Sequence, residues 1–235
     1  EVIVPSFTII SCLSAIIRSG AKPVFCDVDP NSWNMRLEDI EEVFTKNTRA
    51  VLMVHTYGLV AEGAKISKFC EENNLILIED AAEAHGQVEN NKKCGSFGLI
   101  STLSFYANKH ITTGEGGMVL TNSEEYEKIL KQMRNLDFTA EKRFQHDNFY
   151  WNYRLGGLQA ALGISQLNNI EKNIQFKINQ GSYYLELFEE IRDDIQLPMK
   201  ENARTKNHFW VFGLVLKNNI NRDNLQKKLS NKGIE

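Results

Sequence analysis

Two short apolar runs constrain the fold more than any other feature of this sequence. Residues 50–55 read A-V-L-M-V-H and residues 75–79 read L-I-L-I-E. Runs without polar alternation are typical of strands that are covered on both faces, as in a parallel sheet. A stretch with helical character, residues 61–73, separates them. The order strand, helix, strand predicts an α/β domain with a mainly parallel sheet.

The same alternation continues on both sides of this unit. We expect further strands at residues 1–4, 23–27, 99–105, 118–121 and 209–216, and helices at residues 11–19, 37–44, 123–135, 155–167, 170–191 and 222–232. The pair Asn90-Asn91 predicts the turn of a small hairpin. Residues 137–153 are polar and aromatic without a clear period, which indicates a long functional loop. We predict a large domain over residues 1–178, with connecting helices, and the start of a smaller α/β domain over residues 179–235.

Charge and cysteine usage exclude several classes of partner. The net charge of −3 gives no electrostatic basis for binding nucleic acid or an anionic membrane. No apolar run approaches the roughly 20 residues of a membrane span. The four cysteines form no C-x-x-C pair and indicate the reduced thiols of a cytoplasmic protein. The five histidines lack the spacing of metal ligands, so we expect no metal site.

Polar side chains are concentrated where three predicted strands end. These segments are residues 54–58 (V-H-T-Y-G), residues 79–86 (E-D-A-A-E-A-H-G) and residues 104–109 (S-F-Y-A-N-K). In open α/β sheets, ligands bind beyond the carboxyl ends of the strands. The sequence therefore predicts a site built from these three segments.

Lys109 is the candidate nucleophile. It follows an apolar strand and precedes the Gly-rich turn T-T-G-E-G-G. Burial lowers the pKa of a lysine and frees its lone pair, as Schiff-base chemistry requires. The alternative is an ordinary lysine on an exposed loop.

Asp80, Glu83 and His85 form the second candidate group. A carboxylate at Asp80 could pair with a protonated ring nitrogen, although Asp80 could also be the N-cap of a helix. Glu83 lies three residues later, on the same side of a helical turn. His85 could face a ligand or be a histidine of the core.

At the level of motifs, the sequence resembles the DegT/DnrJ/EryC1/StrS family. The segments E-D-A-A-E-A-H-G and S-F-Y-A-N-K-H-I-T-T-G-E-G-G-M-V-L-T-N are specific, and G-A-K-P-V-F-C-D-V-D-P, V-H-T-Y-G, N-Y-R-L-G-G-L-Q-A-A and H-F-W-V-F-G-L-V-L follow the family's order. The resemblance implies an aspartate-aminotransferase-like (type I) fold and pyridoxal 5′-phosphate as the cofactor. It also implies transfer of an amino group from L-glutamate to a nucleotide-linked keto sugar. The lysine-containing segment is most similar to the perosamine-forming group, which acts on a 4-keto-6-deoxy sugar.

The resemblance also implies roles for individual residues. Lys109 matches the lysine that binds the cofactor as a Schiff base, and Asp80 matches the carboxylate on the pyridine nitrogen. Ser104 matches a hydroxyl that binds the cofactor phosphate. Asn152 matches an asparagine that reaches the phosphate of a neighbouring subunit, which implies a homodimer with a shared active site. Glu83 matches a position near the phenolic oxygen of the cofactor.

Substrate contacts and alternative activities are less constrained. We expect Tyr57, His85 and His208 to bind the substrate. The alternatives within the enzymes are a 3- or 4-keto-sugar aminotransferase that uses a UDP- or dTDP-linked sugar, or the dehydratase branch. That branch has histidine in place of the lysine, and Lys109 argues against it. The alternative from another class is a non-catalytic, cofactor-binding regulator of the same fold.

Three departures from the family pattern affect these expectations. Glu83 stands where many members have glutamine, so its carboxyl must be protonated, turned aside or paired. Ile9 stands where members often have an aromatic residue that stacks on the pyridine ring, although Phe7 is close by. The family's phosphate-binding G-T/S-x-A-L turn does not precede residues 1–4. We therefore expect this sequence to be an internal part of a longer aminotransferase that binds the cofactor weakly by itself.

Overall fold

A six-stranded sheet forms the centre of the protein in the computed structural model, which describes residues 1–139 and 144–234. The strands are β1 (Val2–Pro5), β2 (Pro23–Cys26), β3 (Ala50–Val54), β4 (Ile76–Asp80), β5 (Val88–Glu89), β6 (Lys92–Lys93), β7 (Ile100–Ser104), β8 (Gly117–Leu120), β9 (Ile195–Gln196) and β10 (Val215–Leu216). The helices are α1 (Ile10–Arg18), α2 (Leu37–Val43), α3 (Gly63–Glu72), α4 (Glu124–Arg134), α5 (Gly157–Leu167), α6 (Ile170–Leu187) and α7 (Arg222–Ser230), with short 3-10 helices at Thr56–Gly58 and Glu189–Ile191. Among the described residues, no helix has both the length and the hydrophobicity to cross a bilayer.

The strand order of the main sheet is β2-β1-β3-β4-β7-β8. All neighbouring pairs are parallel except β7 and β8, which are antiparallel. Two small antiparallel pairs, β5 with β6 and β9 with β10, lie outside it. This arrangement confirms the predicted α/β fold. Because the parallel strands end at one edge, the segments that follow β1, β3, β4 and β7 meet there.

Strand β3 explains why the sheet is central. All five of its residues are buried. Val51 and Met53 pack into one hydrophobic cluster with residues of α2 and α3, and Leu52 and Val54 pack into a second cluster with residues of α1. Successive side chains of a strand point to opposite faces, so both faces of β3 are covered by helices.

Local signals set most element boundaries. Asn90 and Asn91, at the turn between β5 and β6, have positive φ angles of 50° and 65°, as a two-residue hairpin turn requires. The Ser123 hydroxyl accepts a hydrogen bond from the Tyr126 backbone N–H at 3.4 Å and caps α4. In the predicted loop at residues 137–153, residues 140–143 lie outside the described part of the chain. The division at residues 178 and 179 falls within α6 and stays a prediction.

The predicted strand at residues 209–216 is wrong over most of its length. Only β10 pairs in this region, with β9. Phe209 has a positive φ of 49°, which a strand does not allow. The backbone N–H groups of His208 and Trp210 donate instead to the carbonyls of Gly58 and Tyr57, at 3.0 Å and 3.2 Å. These long-range bonds hold residues 208–210 against the 3-10 helix that follows β3.

The side chain of Glu79, on β4, connects three segments of the chain: His55 after β3, the loop at residues 95–98, and Ser101 of β7. Its side chain is fully buried and lies 3.0 Å from Nε2 of His55. It also accepts hydrogen bonds from the backbone N–H groups of Gly95, Phe97 and Gly98 and from the Ser101 hydroxyl. Nδ1 of His55 accepts the Ala61 N–H at 3.1 Å, so the proton of the ring lies on Nε2 and faces Glu79. Burial alone would raise the pKa of Glu79, but the hydrogen bond with His55, the positive charge of His55 when it is protonated, and the N–H groups of Gly95 and Gly98 lower it to about 2.

We expect Glu79→Gln to lower the free energy of unfolding by about 3 kcal/mol at neutral pH, because the bonds that lower its pKa favour the ionised form. The native pKa is depressed, so this stability is present above about pH 4.5 and is lost as the pH falls towards 2. Denaturant unfolding at several pH values measures both effects. Glu71→Gln, at an exposed position of α3, is the matched control. Equal stability of the two variants at neutral pH contradicts the prediction.

Candidate active site

The candidate site lies at the carboxyl edge of the main sheet. Strands β3, β4 and β7 are neighbours, so the three polar segments predicted from the sequence come together there. The chain then turns back from β7 to β8, and Ser104 pairs with Gly117 in that ladder. Lys109 belongs to this turn. The arrangement places an amine, carboxylates, a hydroxyl and aromatic rings at one edge.

Lys109 is half-buried rather than fully exposed. Burial lowers the pKa of its amine, while the negative charges of Glu83 and Asp80 act in the opposite direction. The Nζ atom lies over the ring of Trp210, 3.4 Å from the ring centroid. The exposed-loop alternative therefore does not describe this lysine. Its surroundings leave a larger fraction of the amine unprotonated at neutral pH than in a solvated lysine, as a nucleophile or general base requires.

Asp80 is the last residue of β4, and its carboxylate has three hydrogen-bond donors. The Cys12 thiol donates to Oδ2 at 3.1 Å, and Oδ1 accepts from the Ala82 N–H at 3.0 Å and the Thr102 hydroxyl at 3.4 Å. Burial, together with the charge of Asp80, raises the pKa of Cys12 to about 12, so the thiol keeps its proton. Residues 81–87 form turns and no helix, so Asp80 is not a helix N-cap.

Glu83 is paired with the backbone of the neighbouring segment. Its Oε2 accepts the Tyr57 N–H at 2.8 Å. Burial raises the pKa of Glu83 to about 7, and the charge of Asp80 adds to this shift, while the Tyr57 bond and the charge of Lys109 oppose it. Of the three possibilities left open by the sequence, the carboxyl is thus paired and changes protonation near neutral pH.

Tyr57 belongs to an aromatic cluster at the rim of this edge. Its ring lies 5.7 Å from that of Phe7, 5.8 Å from that of Trp33 and 6.0 Å from that of Trp210, measured between centroids. Phe7 remains partly exposed at 41%. Ile9, the position that departs from the family pattern, is 55% exposed. Phe7 therefore contributes an aromatic side chain to this rim, and Ile9 does not.

Three histidines pack together behind Lys109. The centroid of His110 lies 6.0 Å from that of His85 and 6.2 Å from that of His208. Both ring nitrogens of His85 are buried, and neither makes a hydrogen bond of good geometry among the described residues, although the Ser104 backbone lies near the ring. Burial is the main cause that lowers the pKa of His85 to about 4; the charge of Lys109 adds to it, and the Ser104 backbone acts in the opposite direction. Burial also lowers the pKa values of His110 and His208, so all three rings are neutral at neutral pH.

Ser104 and Asn152 have different positions relative to this edge. Ser104 ends β7 at the site, and its hydroxyl accepts the Tyr106 N–H at 3.3 Å. Asn152 is exposed, forms an isolated β-bridge with Asn135 and accepts the Arg154 N–H at 3.2 Å. The structure thus brings Ser104, but not Asn152, into the group around Lys109.

One cluster in the described part of the chain has the chemistry of metal ligands. Ligand atoms of His55, Glu79 and Cys94 lie within 4.8 Å of one another. Both nitrogens of His55 and both oxygens of Glu79 already take part in hydrogen bonds within the protein. This cluster therefore acts as the hydrogen-bond network that supports β4.

The profile of the DegT/DnrJ/EryC1/StrS aminotransferase family matches residues 1–235. The chain belongs to the DegT/DnrJ/EryC1/StrS aminotransferase family. It is 38% identical over 241 residues to the GDP-perosamine synthase of Vibrio cholerae and 36% identical over 236 residues to that of Escherichia coli O157:H7. All of this chain and 64% of each relative take part in these alignments, so the chain spans less than two thirds of their length.

A solved structure of similar fold is that of the Escherichia coli GDP-4-keto-6-deoxy-D-mannose-3-dehydratase with bound hydrated PLP. The TM-score is 0.89 at 25% sequence identity, and the superposition covers 100% of this chain and 64% of that chain. This similarity confirms the predicted aminotransferase-like fold.

Several residues of this family member reach the site without having been singled out in the sequence. Trp210 contacts Lys109, and Cys12 and Thr102 contact Asp80. Thr102 could have been found, since it shares the polar strand end with Ser104. No local pattern marks Cys12 or Trp210, because α1 and the segment after β9 reach this edge only through tertiary packing.

We expect Glu83→Gln to stabilise the protein, and the gain to depend on pH. The native pKa of Glu83 is raised from an ordinary 4.5 to about 7, so the wild type loses stability as the pH rises through this range. Glutamine cannot ionise and its amide oxygen can still accept the Tyr57 N–H. The variant should be more stable by up to about 3 kcal/mol above the native pKa, with a small difference below pH 4.5. Thermal and denaturant unfolding, above the native pKa and again below pH 4.5, measure the difference in stability between variant and wild type. Glu115→Gln, at an exposed position, is the control. A gain that does not change with pH contradicts the assignment.

Proposed function

We propose that this protein is a pyridoxal-phosphate-dependent aminotransferase that transfers an amino group from L-glutamate to a 4-keto-6-deoxy nucleotide sugar. The observation that carries the proposal is the half-buried amine of Lys109 beside the carboxyls of Asp80 and Glu83, at the carboxyl edge of a parallel sheet. Membership of an aminotransferase family supports it. We further propose that residues 1–178 form the cofactor-binding domain. The four free cysteines agree with a reducing compartment such as the cytoplasm.

The side chains at this edge fit the cofactor chemically. An aldehyde requires an amine, which Lys109 provides; a basic ring nitrogen requires a carboxylate, which Asp80 provides; and a phosphate group requires donors such as the Ser104 hydroxyl. The thiol of Cys12 and the N–H of Ala82 hold the Asp80 carboxylate in place. When bound, the cofactor supplies an electron sink for amino-group transfer.

The protein's own groups would hold and move the protons of this reaction. Asp80 would hold the ring nitrogen of the cofactor and favour its protonated form, because a negative charge stabilises the charged form of that ring. The lowered pKa of Lys109 allows its amine to accept a proton and return it. Glu83, with a pKa of about 7, can donate a hydrogen bond when it is protonated, and this removes the repulsion that a carboxylate would exert on an anionic oxygen.

The substrate class rests on the relatives. GDP-perosamine synthases from three organisms are 34–38% identical to the chain over its whole length. We propose Tyr57, His85 and His208 as substrate-binding residues. The place of Tyr57 in the aromatic rim of this edge supports its role, whereas the ring nitrogens of His85 are buried from solvent, so a ligand would reach them only if the neighbouring side chains moved. A dehydratase would have histidine at the position of Lys109, so the lysine favours the aminotransferase.

We propose that the active unit is a homodimer in which Asn152 reaches the partner's cofactor phosphate. None of the eleven residues of α5, all of them described, is buried. Leu158 of α5 is 89% exposed, and Trp151 and Tyr153, which flank Asn152, are 70% and 69% exposed. Exposed apolar side chains in such number favour an interaction face. We propose that a second copy covers this apolar surface and receives Asn152 at its cofactor site.

The first test is Lys109→Ala. In the intact protein, we expect the variant to lose the visible absorption band of lysine-bound cofactor and transamination between glutamate and a keto-sugar nucleotide, because the amine proposed to bind the cofactor is gone. Lys128→Ala removes an exposed lysine of α4 and should leave both unchanged. Near-normal turnover by the Lys109 variant would refute the proposal.

The second test mixes two impaired variants. Asn152→Asp places a negative charge against the partner's phosphate and should weaken cofactor affinity by more than about tenfold, a loss of at least 1.4 kcal/mol. Lys109→Ala removes the amine but keeps Asn152. In a mixed dimer, the Asn152→Asp subunit supplies Lys109 and the Lys109→Ala subunit supplies Asn152 to the same site. One of the two sites is therefore intact, and mixing should restore activity at limiting cofactor. If mixing restores nothing while mixed dimers form, Asn152 does not act across the interface.

A further inference from the structure

Trp210 touches the amine of Lys109 directly. The Nζ atom lies over the indole face, 3.4 Å from the ring centroid, and Trp210 is only 9% exposed. We propose that Trp210 is a positioning residue that holds the free amine of Lys109 and sets its acid–base equilibrium. The inference rests on the proposed role of Lys109 and adds a residue that comes from beyond α6.

The indole is fixed to the same turn that carries Lys109. Its Nε1–H donates to the carbonyl of Asn108 at 3.0 Å, so ring edge and ring face contact consecutive residues. The backbone N–H of Trp210 donates to the Tyr57 carbonyl at 3.2 Å. The first bond holds the edge of the ring to the turn that carries Lys109. The second holds the backbone of Trp210 to the turn after β3.

The backbone of residues 209 and 210 passes so close to residue 58 that only a glycine fits there. Gly58 has a φ of 93°, and a Cβ there would lie 3.0 Å from the backbone nitrogens of Phe209 and Trp210. Asn207 also fixes this segment, because its Oδ1 accepts a hydrogen bond from the Phe209 N–H at 2.7 Å. The segment is thus seated on the 3-10 helix after β3, and the position of the indole follows from backbone contacts.

The contact has a defined electrostatic effect. The face of an indole carries negative charge density and attracts a cation within about 6 Å of its centroid, most strongly where water is excluded. It therefore favours the ammonium form of Lys109, in the same direction as the charges of Glu83 and Asp80. Burial acts against them, and His85, the neighbouring titratable ring, is neutral. Trp210 thus offsets part of the burial effect and keeps the flexible amine in one place.

The experiment measures the ionisation of Lys109 in the protein without cofactor. Amine labelling over a range of pH, read by peptide mass spectrometry, gives a midpoint for Lys109, and exposed Lys128 is an internal reference. Trp210→Leu keeps an apolar side chain but removes the π face, and should lower the Lys109 midpoint by about one pH unit. Trp210→Phe retains a weaker π face and should fall between Leu and wild type. Unchanged midpoints in both variants, or equal shifts in both, would overturn the proposal.

A second measurement does not depend on the folding of these variants. Fluorinated tryptophans placed at position 210 weaken the negative potential of the ring stepwise with little change of shape, and the Lys109 midpoint should fall with each step. A midpoint that does not follow the degree of fluorination overturns the inference. The visible band of added pyridoxal phosphate, compared between wild type and Lys109→Ala, separately tests the proposed function. Failure of the band in wild type therefore points to the cofactor role, and failure of the midpoint shift points to Trp210.

Discussion

The structure depends on the placement of β4 between β3 and β7, which puts two consecutive carboxylates on opposite faces of one strand. Glu79 lies in register with Met53 and Ser101, and its neighbour Asp80 lies in register with Val54 and Thr102. Because successive side chains of a strand alternate, Glu79 enters the core and Asp80 reaches the other face at the sheet edge. The first carboxylate holds the surrounding loops through buried hydrogen bonds, and the second is available for chemistry.

The site that results is a balance between burial and charge. Burial lowers the pKa of Lys109 and raises that of Glu83, and each group partly offsets the shift of the other. The Tyr57 N–H stabilises the charged form of Glu83, its carboxylate. Trp210 stabilises the charged form of Lys109, its ammonium. Glu83 consequently changes protonation near neutral pH, and the pKa of Lys109 lies below its ordinary value, in the direction that acid–base chemistry requires.

The segment after β9 is as much a part of this site as the strand ends of the sheet. Thr205 donates to the Gln87 side chain, whose amide donates to the carbonyl of Lys206, and His208 and Trp210 bond to the turn after β3. The backbone N–H groups of residues 208 and 210 bond to this turn and that of residue 209 bonds to the Asn207 side chain, so none of the three is left for a strand ladder. The matching family profile spans both parts of the chain, in agreement with a site assembled from both.

Sequence by itself determined the α/β class, the helix and strand positions of residues 1–135, and the concentration of Lys109, Asp80, Glu83 and Ser104 at one edge. These features follow from hydrophobic period, turn chemistry and the rule that parallel strands end together, all of which act over short distances along the chain. Only the tertiary structure decided that Glu83 pairs with the Tyr57 backbone, that Trp210 covers Lys109 and that α5 presents an uncovered apolar face. Such contacts join residues far apart in the chain; the Trp210 and Asn108 partners are 102 positions apart. No local pattern encodes them, because they depend on how completed elements pack and on which backbone groups are left to be satisfied.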